Sequence, residues 1–207
     1  MSTRSKMIQD HIIYIPGLND HAPFHKKAAY LLCNYWKLFG KQCHLFFPNW
    51  NDDEPFQKKL RRILALIDQL HNRKHQVSLI GQSAGGSLAL NAFTERKHYI
   101  HGVINITGRL SAGINVRPTL DKASLYSRAF KQSVLLFEKQ NRHKLSREDR
   151  KRILTARPIW DEVVPKQTVV VEGATNIVVP FPEHVLCGGI IVTVYAPTLF
   201  RFLDSIH

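Results

Sequence analysis

Short apolar runs, several of them β-branched nearly throughout, alternate along the chain with longer stretches in which apolar residues return every three or four positions. The runs predict strands over residues 11–15, 42–47, 76–80, 102–107, 168–172 and 176–181. Between the second and third runs, Phe56, Leu60, Ile63, Leu64 and Ile67 form one face of a helix, and Lys58, Lys59, Arg61 and Arg62 fill the other. Asp53 is the predicted N-cap of that helix and Pro55 its first-turn proline. A second helix is predicted over 24–39 through Phe24, Ala28, Leu31, Leu32 and Tyr35, with Gly40 as its stop. A third closes the chain over 187–202. Buried strands alternating with amphipathic helices predict an α/β fold, a mostly parallel sheet flanked by helices on both faces.

Residues 109–157 break this rhythm. Leu125, Tyr126, Ala129, Phe130, Val134 and Phe137 keep a helical period, and Ser146 with Asp149 three positions on reads as a capping box. The segment is therefore a predicted helical cap or insertion within one domain spanning 1–207. It holds 13 Lys and Arg against four acids, Asp121, Glu138, Glu148 and Asp149, which is +9 of the chain's formal +13. The positive charge is local to it. That favours an anionic partner, a negatively charged substrate group or an anionic membrane surface, without naming one. Nucleic acid is disfavoured, because no RNP pattern, zinc-finger spacing or leucine zipper accompanies the charge.

Composition adds exclusions. With 44% hydrophobic and 22% charged residues the chain has the makeup of a folded globular protein, not of a disordered one. No run approaches the roughly 20 apolar residues that span a bilayer, so no transmembrane segment is expected. The three cysteines, Cys33, Cys43 and Cys187, are odd in number and spread apart, which suggests free thiols and a cytoplasmic location. Cys187 is expected to be buried rather than reactive.

The strongest local signal is Gly81-Gln82-Ser83-Ala84-Gly85-Gly86, directly after the run Val77 to Ile80 and directly before the helical stretch Ser87-Leu88-Ala89-Leu90. A serine on such a sharp strand-to-helix turn adopts strained backbone angles, and its neighbours two before and two after must lack side chains. Gly81 and Gly85 meet that demand. The turn exposes the Ser83 hydroxyl and aims the amide of Ala84 at any oxyanion formed there.

On these residues the chain resembles the α/β-hydrolase superfamily in its minimal form, over most of its length. The resemblance implies a serine hydrolase that cleaves a carboxylic ester or related acyl substrate, a carboxylesterase or lipase-like enzyme working through an acyl-enzyme with no cofactor and no metal. In that family the first strand of the catalytic half ends in a small turn whose following residue donates the second oxyanion amide. Here the turn is Ile15-Pro16-Gly17-Leu18, with Pro16 where the family usually has His, and the donor is Leu18. The family order Ser, acid, His then selects Asp161 among nine acids between Ser83 and His184, because Asp161-Glu162-Val163-Val164-Pro165 is similar to the family's acid loop. It selects His184 as the base, since the other histidine beyond Asp161, His207, is the last residue. Arg109 and Arg157, flanking the insertion, are candidates for gripping a substrate carboxylate or phosphate. The rival from another class is a hydrolase-fold scaffold without turnover that binds an anionic partner or lipid through the basic cap.

Overall fold

The computed structural model describes residues 10–206. Six strands form one parallel sheet in the order β2-β1-β3-β4-β5-β6. They are β1 (Asp10–Ile15), β2 (Gln42–Leu45), β3 (Gln76–Gln82), β4 (Ile100–Ile106), β5 (Ile153–Trp160) and β6 (Thr175–Pro182). From β1 the chain first moves outward to β2 and then crosses back to lay β3 on the other side of β1. The order reverses between β1 and β3, so the helices that follow these two strands leave on opposite faces and open a crevice at their carboxyl ends.

Successive side chains of β1 serve two cores, as period-2 geometry requires. Ile13 and Ile15 pack with the helices α2 (Phe56–Asn72), α3 (Ala84–Glu95) and α5 (Arg128–Leu136). Ile12 and Tyr14 pack on the opposite face with α1 (Pro23–Lys37), α7 (His184–Thr193) and α8 (Ala196–Asp204). Helices thus cover both faces, and strands buried on both sides read as the unbroken apolar runs seen in the sequence. Two short helices, α4 (Leu120–Ala123) and α6 (Arg147–Lys151), lie within the insertion.

Several predicted elements are corrected. Residues 168–172 are not a strand: a tight turn over Lys166–Thr168 leads into a loop whose Val169 and Val171 are fully buried, so the apolar run plugs the core without pairing. Residues 153–157, read as insertion, belong to the sheet as the start of β5. The capping box is real, with Ser146 Oγ accepting from Asp149 N at 3.1 Å and Asp149 Oδ2 accepting from Ser146 N at 2.9 Å, but its helix stops after five residues. The closing helix is two helices. Pro197 cannot continue the first one, and the carbonyl of Thr193 four residues earlier instead accepts the Tyr35 hydroxyl at 3.3 Å.

The start of α2 also differs. Asp53 does not cap it; the Phe56 amide donates to Gln132 Oε1 on α5 at 3.0 Å, so the insertion supplies the cap. Lys59, placed on the polar face by periodicity, is fully buried, and its ammonium donates to the carbonyls of Pro48 and Asn49 at 3.0 and 2.8 Å and pairs with Asp52. Finally, Cys33 of α1 and Cys43 of β2 form a disulfide, their Cα atoms 5.1 Å apart because the helix packs back along the strand that follows it. The expectation of free thiols, and the compartment argued from it, loses its ground; Cys187 alone is free and buried. Among the described residues, no single helix is long and apolar enough to cross a membrane.

Candidate active site

β3 runs straight into α3 through Ser83, whose backbone sits at φ 52° and ψ −121°. A non-glycine residue there is strained, and the surrounding packing holds it. Ser83 N donates to Ile106 O on β4 at 2.8 Å, and Ser83 O accepts from Gly86 N at 3.0 Å. The flanking glycines have no alternative. A Cβ on Gly81 would lie 2.3 Å from Gly85 O, and one on Gly85 would lie 2.1 Å from Ile15 O. The strand and helix therefore meet backbone to backbone at the turn, where the spacing calls for glycine, and the turn also packs against the end of β1.

The sequence signal missed a further layer of the same contact. A Cβ on Gly86 would fall 1.8 Å from Asn105 Oδ1, and one on Gly108 would fall 2.6 Å from Ser83 O. Asn105, fully buried at the end of β4, donates to Gly108 O at 2.9 Å. Only the pairing of β3 with β4 brings Asn105 and Gly108 to the turn, so no local spacing could reveal this contact.

His184 begins α7, just past β6. Its backbone amide lies 3.3 Å from each oxygen of Glu162, and the preceding Glu183, at φ 76°, caps the helix by accepting from Val185 N and Leu186 N at 3.0 and 2.6 Å. Those amides hold the Glu183 carboxyl below its ordinary value. The imidazole is buried, with Nε2 3.0 Å from Ser83 Oγ and Nδ1 2.9 Å from Asp161 Oδ2. The other Asp161 oxygen accepts from Val163 N at 2.9 Å and Val164 N at 2.7 Å. A carboxylate fixed in orientation this way is placed to accept from Nδ1–H, the tautomer in which Nε2 accepts from the serine hydroxyl. The three predicted residues are thus brought together in one hydrogen-bonded line; His207 lies outside the described residues.

Ser83 opens into a cavity of ≈ 760 Å³ whose wall includes Leu18, Phe130, Val163 and Val164 together with Arg117 and Lys122. Gly17 lies against the serine: a Cβ there would be 3.0 Å from Ser83 Cβ and 3.4 Å from its Oγ. The turn carrying Gly17 and Leu18 is pinned by the Trp50 indole, which donates to Pro16 O at 3.1 Å, and by Asp20, fully buried, which accepts from Asn49 N and Trp50 N. Burial raises the Asp20 carboxyl despite those two bonds.

The two flanking arginines are placed differently from each other. Arg109 is fully buried and donates to the carbonyls of Ser111, Ala112 and Pro118 at 3.0, 2.5 and 2.8 Å. Its guanidinium is a strut for the loop over 111–118, with three donors engaged by carbonyls, and it also lines the cavity into which Ser83 opens. Arg157 lies on β5, donates to Pro158 O at 3.1 Å and is not part of the cavity wall. Burial pushes the Cys187 thiol up to about 11, aided by Asp161 and Glu183, so it is no competing nucleophile. Among the described residues no group of three or more His, Cys, Asp or Glu side chains is arranged to hold a metal ion.

No protein-family model matches the sequence, and no curated protein is similar to it by sequence. Solved structures are similar in fold. Est1E from Butyrivibrio proteoclasticus aligns at a TM-score of 0.67 and 14% identity, over 99% of this chain and 93% of that one. A structure from LipS and LipT, two metagenome-derived lipolytic enzymes, aligns at 0.63 and 13%, over 96% and 93%. The pyrethroid hydrolase PytH aligns at 0.63 and 12%, over 95% and 98%. At such identities the likeness is one of fold, and it spans nearly the whole chain.

Proposed function

The chain has the α/β-hydrolase fold, and on that premise we propose that it is a serine hydrolase cleaving a carboxylic ester or related acyl substrate. The observation that carries the reading is the unbroken line Ser83 Oγ, His184 Nε2, His184 Nδ1, Asp161 Oδ2, ending at a hydroxyl that faces a partly apolar cavity. The names of similar structures, lipolytic enzymes and a pyrethroid hydrolase, point the same way.

The proposed chemistry follows from who can hold each proton. Ser83 Oγ attacks the acyl carbon as His184 Nε2 takes its hydrogen, and Asp161 stabilises the imidazolium. Negative charge develops on the carbonyl oxygen, where the amides of Ala84 and Leu18 are the donors we assign. Ala84 N opens α3 and has no intrahelical acceptor, and Leu18 follows the glycine that touches Ser83. His184 then protonates the leaving alkoxide, and a water repeats the sequence to release the acid from Ser83. None of these steps draws on a cofactor.

The test is covalent labelling with a fluorophosphonate, which reports an activated serine independently of substrate choice. We expect the intact protein to label and Ser83→Ala not to label. A folded protein that resists the probe favours instead the scaffold without turnover.

A further inference from the structure

Two cations on the insertion side of the cavity have no ion-pair partner among the described residues. Arg117 and Lys122 line the cavity into which Ser83 opens, both exposed, and neither has an ion pair among the described residues. The insertion has four acids, and all are engaged elsewhere. Asp121, beside Lys122 in sequence, pairs with Lys131. Glu138 accepts from Ala112 N at 3.0 Å and acts on buried Arg109. Glu148 pairs with Lys151 at 2.9 Å, and Asp149 holds Lys97 and Arg152 while closing its capping box.

The backbone that carries the two cations is also held in place. Arg109 ties the carbonyls of Ser111, Ala112 and Pro118 into one loop that carries Arg117, and Thr119 Oγ1 accepts from Lys122 N at 3.3 Å. Among the described residues Glu162 is the one acid in the cavity wall, and its carboxylate faces the His184 amide on the acid-loop side, 3.3 Å from each oxygen. The cavity is therefore polarised: unneutralised cations on the insertion side, an apolar surface of Leu18, Phe130, Val163 and Val164, and the serine.

We propose that the ester taken by this site carries an anionic group, a carboxylate or phosphate, which Arg117 and Lys122 bind while the ester carbonyl lies over Ser83. This rests on the hydrolase reading above and names its substrate class. A guanidinium and an ammonium offer charge-assisted hydrogen bonds to such a group, and in a partly enclosed cavity these discriminate strongly against a neutral analogue.

The experiment compares kcat/KM for three esters of similar size: neutral 4-nitrophenyl butyrate, 4-nitrophenyl hemiglutarate with its carboxylate on the acyl side, and 3-carboxyphenyl butyrate with it on the leaving group. At least one charged ester should be preferred by about tenfold over the neutral one at low salt, the preference shrinking as salt rises. The double variant Arg117→Gln/Lys122→Gln should bring that ratio close to one by raising KM, and Lys122→Glu should push it below one. Unfolding midpoints check that the variants are folded. A wild-type ratio near one for both charged esters, or a double variant that keeps the preference, overturns the proposal while leaving the hydrolase reading intact. Binding of the protein to anionic lipid vesicles that is lost in the double variant, without any ester preference, also overturns it and assigns the charge to a membrane face. Absence of both turnover and fluorophosphonate labelling removes the hydrolase reading and this inference with it.

Discussion

Two groups of histidines occupy opposite regions of the same sheet. His184 stands at the carboxyl edge between an acid and a hydroxyl, 2.9 Å from Asp161 and 3.0 Å from Ser83. His11 of β1, His44 of edge strand β2 and His75, which directly precedes β3, lie side by side. His11 Nδ1 is 2.7 Å from His44 Nε2, and its ring stacks on His75 with centroids 3.8 Å apart. Burial, then the His75 and His44 rings, push the His11 imidazole down to about 4, against the weaker opposing influence of Asp10. An imidazole between a fixed carboxylate and a hydroxyl can accept and return a proton; one buried among other imidazoles is kept neutral. The residue type is the same, and the partners decide what it does.

The sharpest way to break this contrast is to remove one member at each end. Ser83→Ala and His184→Ala should each lower kcat on a short-chain aryl ester by 10⁴-fold or more, on the order seen when triad members act as a unit. His11→Gln, His44→Gln and His75→Gln should stay within about threefold of the parent, as surface to mid-sheet substitutions far from the chemistry do. A comparable loss from any of the latter three would mean that the two groups are coupled and the contrast is false.

Asp161→Asn is expected to come next, at about 10³- to 10⁴-fold in kcat. Because Val163 N and Val164 N already donate to one carboxylate oxygen, an asparagine keeps its carbonyl there and turns its NH₂ toward His184 Nδ1. That forces the proton onto Nε2, which then cannot accept from Ser83. Stopped-flow kinetics should show slow acylation with nearly unchanged KM; an unchanged acylation rate would mean that the acid does not set the tautomer.

The edges differ in slack as well as in chemistry. Gly85→Ala would bring a Cβ to 2.1 Å from Ile15 O, where both partners are backbone, and should destabilise the fold by roughly 3 kcal/mol or more. Gly189 lies on the exposed side of α7 with nothing within 4 Å of its ideal Cβ. Gly189→Ala should stabilise by about 0.5–1 kcal/mol through helix propensity alone. Chemical denaturation of both variants tests whether tight packing is confined to the serine turn.

These contrasts also explain what the sequence could and could not convey. The serine turn was legible because its demands fall within five residues, and its glycines reappear as backbone contacts. Asp161 and His184 were legible through chain order and the surroundings of the acid. Asn105, Gly86 and Gly108 were not, because the contact they make exists only once β3 and β4 pair. β5 was hidden for a local reason: Pro158 sits at its register shift and a genuine capping box lies just upstream. Lys59 shows the limit of periodicity, since a buried ammonium is satisfied by carbonyls of a loop that the helix pattern does not describe. Arg109 shows it again: a charge expected to meet substrate lines the cavity but also braces, through three carbonyls, the loop that presents Arg117.

The smallest expected effect lies at the histidine stack and is read through pH. The folded protein holds His11 near 4 while the unfolded chain protonates it near 6.5, so between those values the unfolded state binds more protons. Stability from this group is therefore full above about pH 6.5 and is lost as pH falls toward 4, with His44 shifted in the same direction. Asp149, held well below the ordinary carboxylate range by Lys97, Ser146 and Arg152, contributes stability present above its unfolded value near 4 and lost on further acidification. The two windows barely overlap. Urea midpoints between pH 7.5 and 4.5 should fall steeply for the parent and more gently for His11→Gln, whereas Asp149→Asn should keep the parent's slope across this range. If the His11 variant loses midpoint as steeply as the parent, the stack does not hold its imidazoles neutral, and the contrast with His184 reduces to position alone.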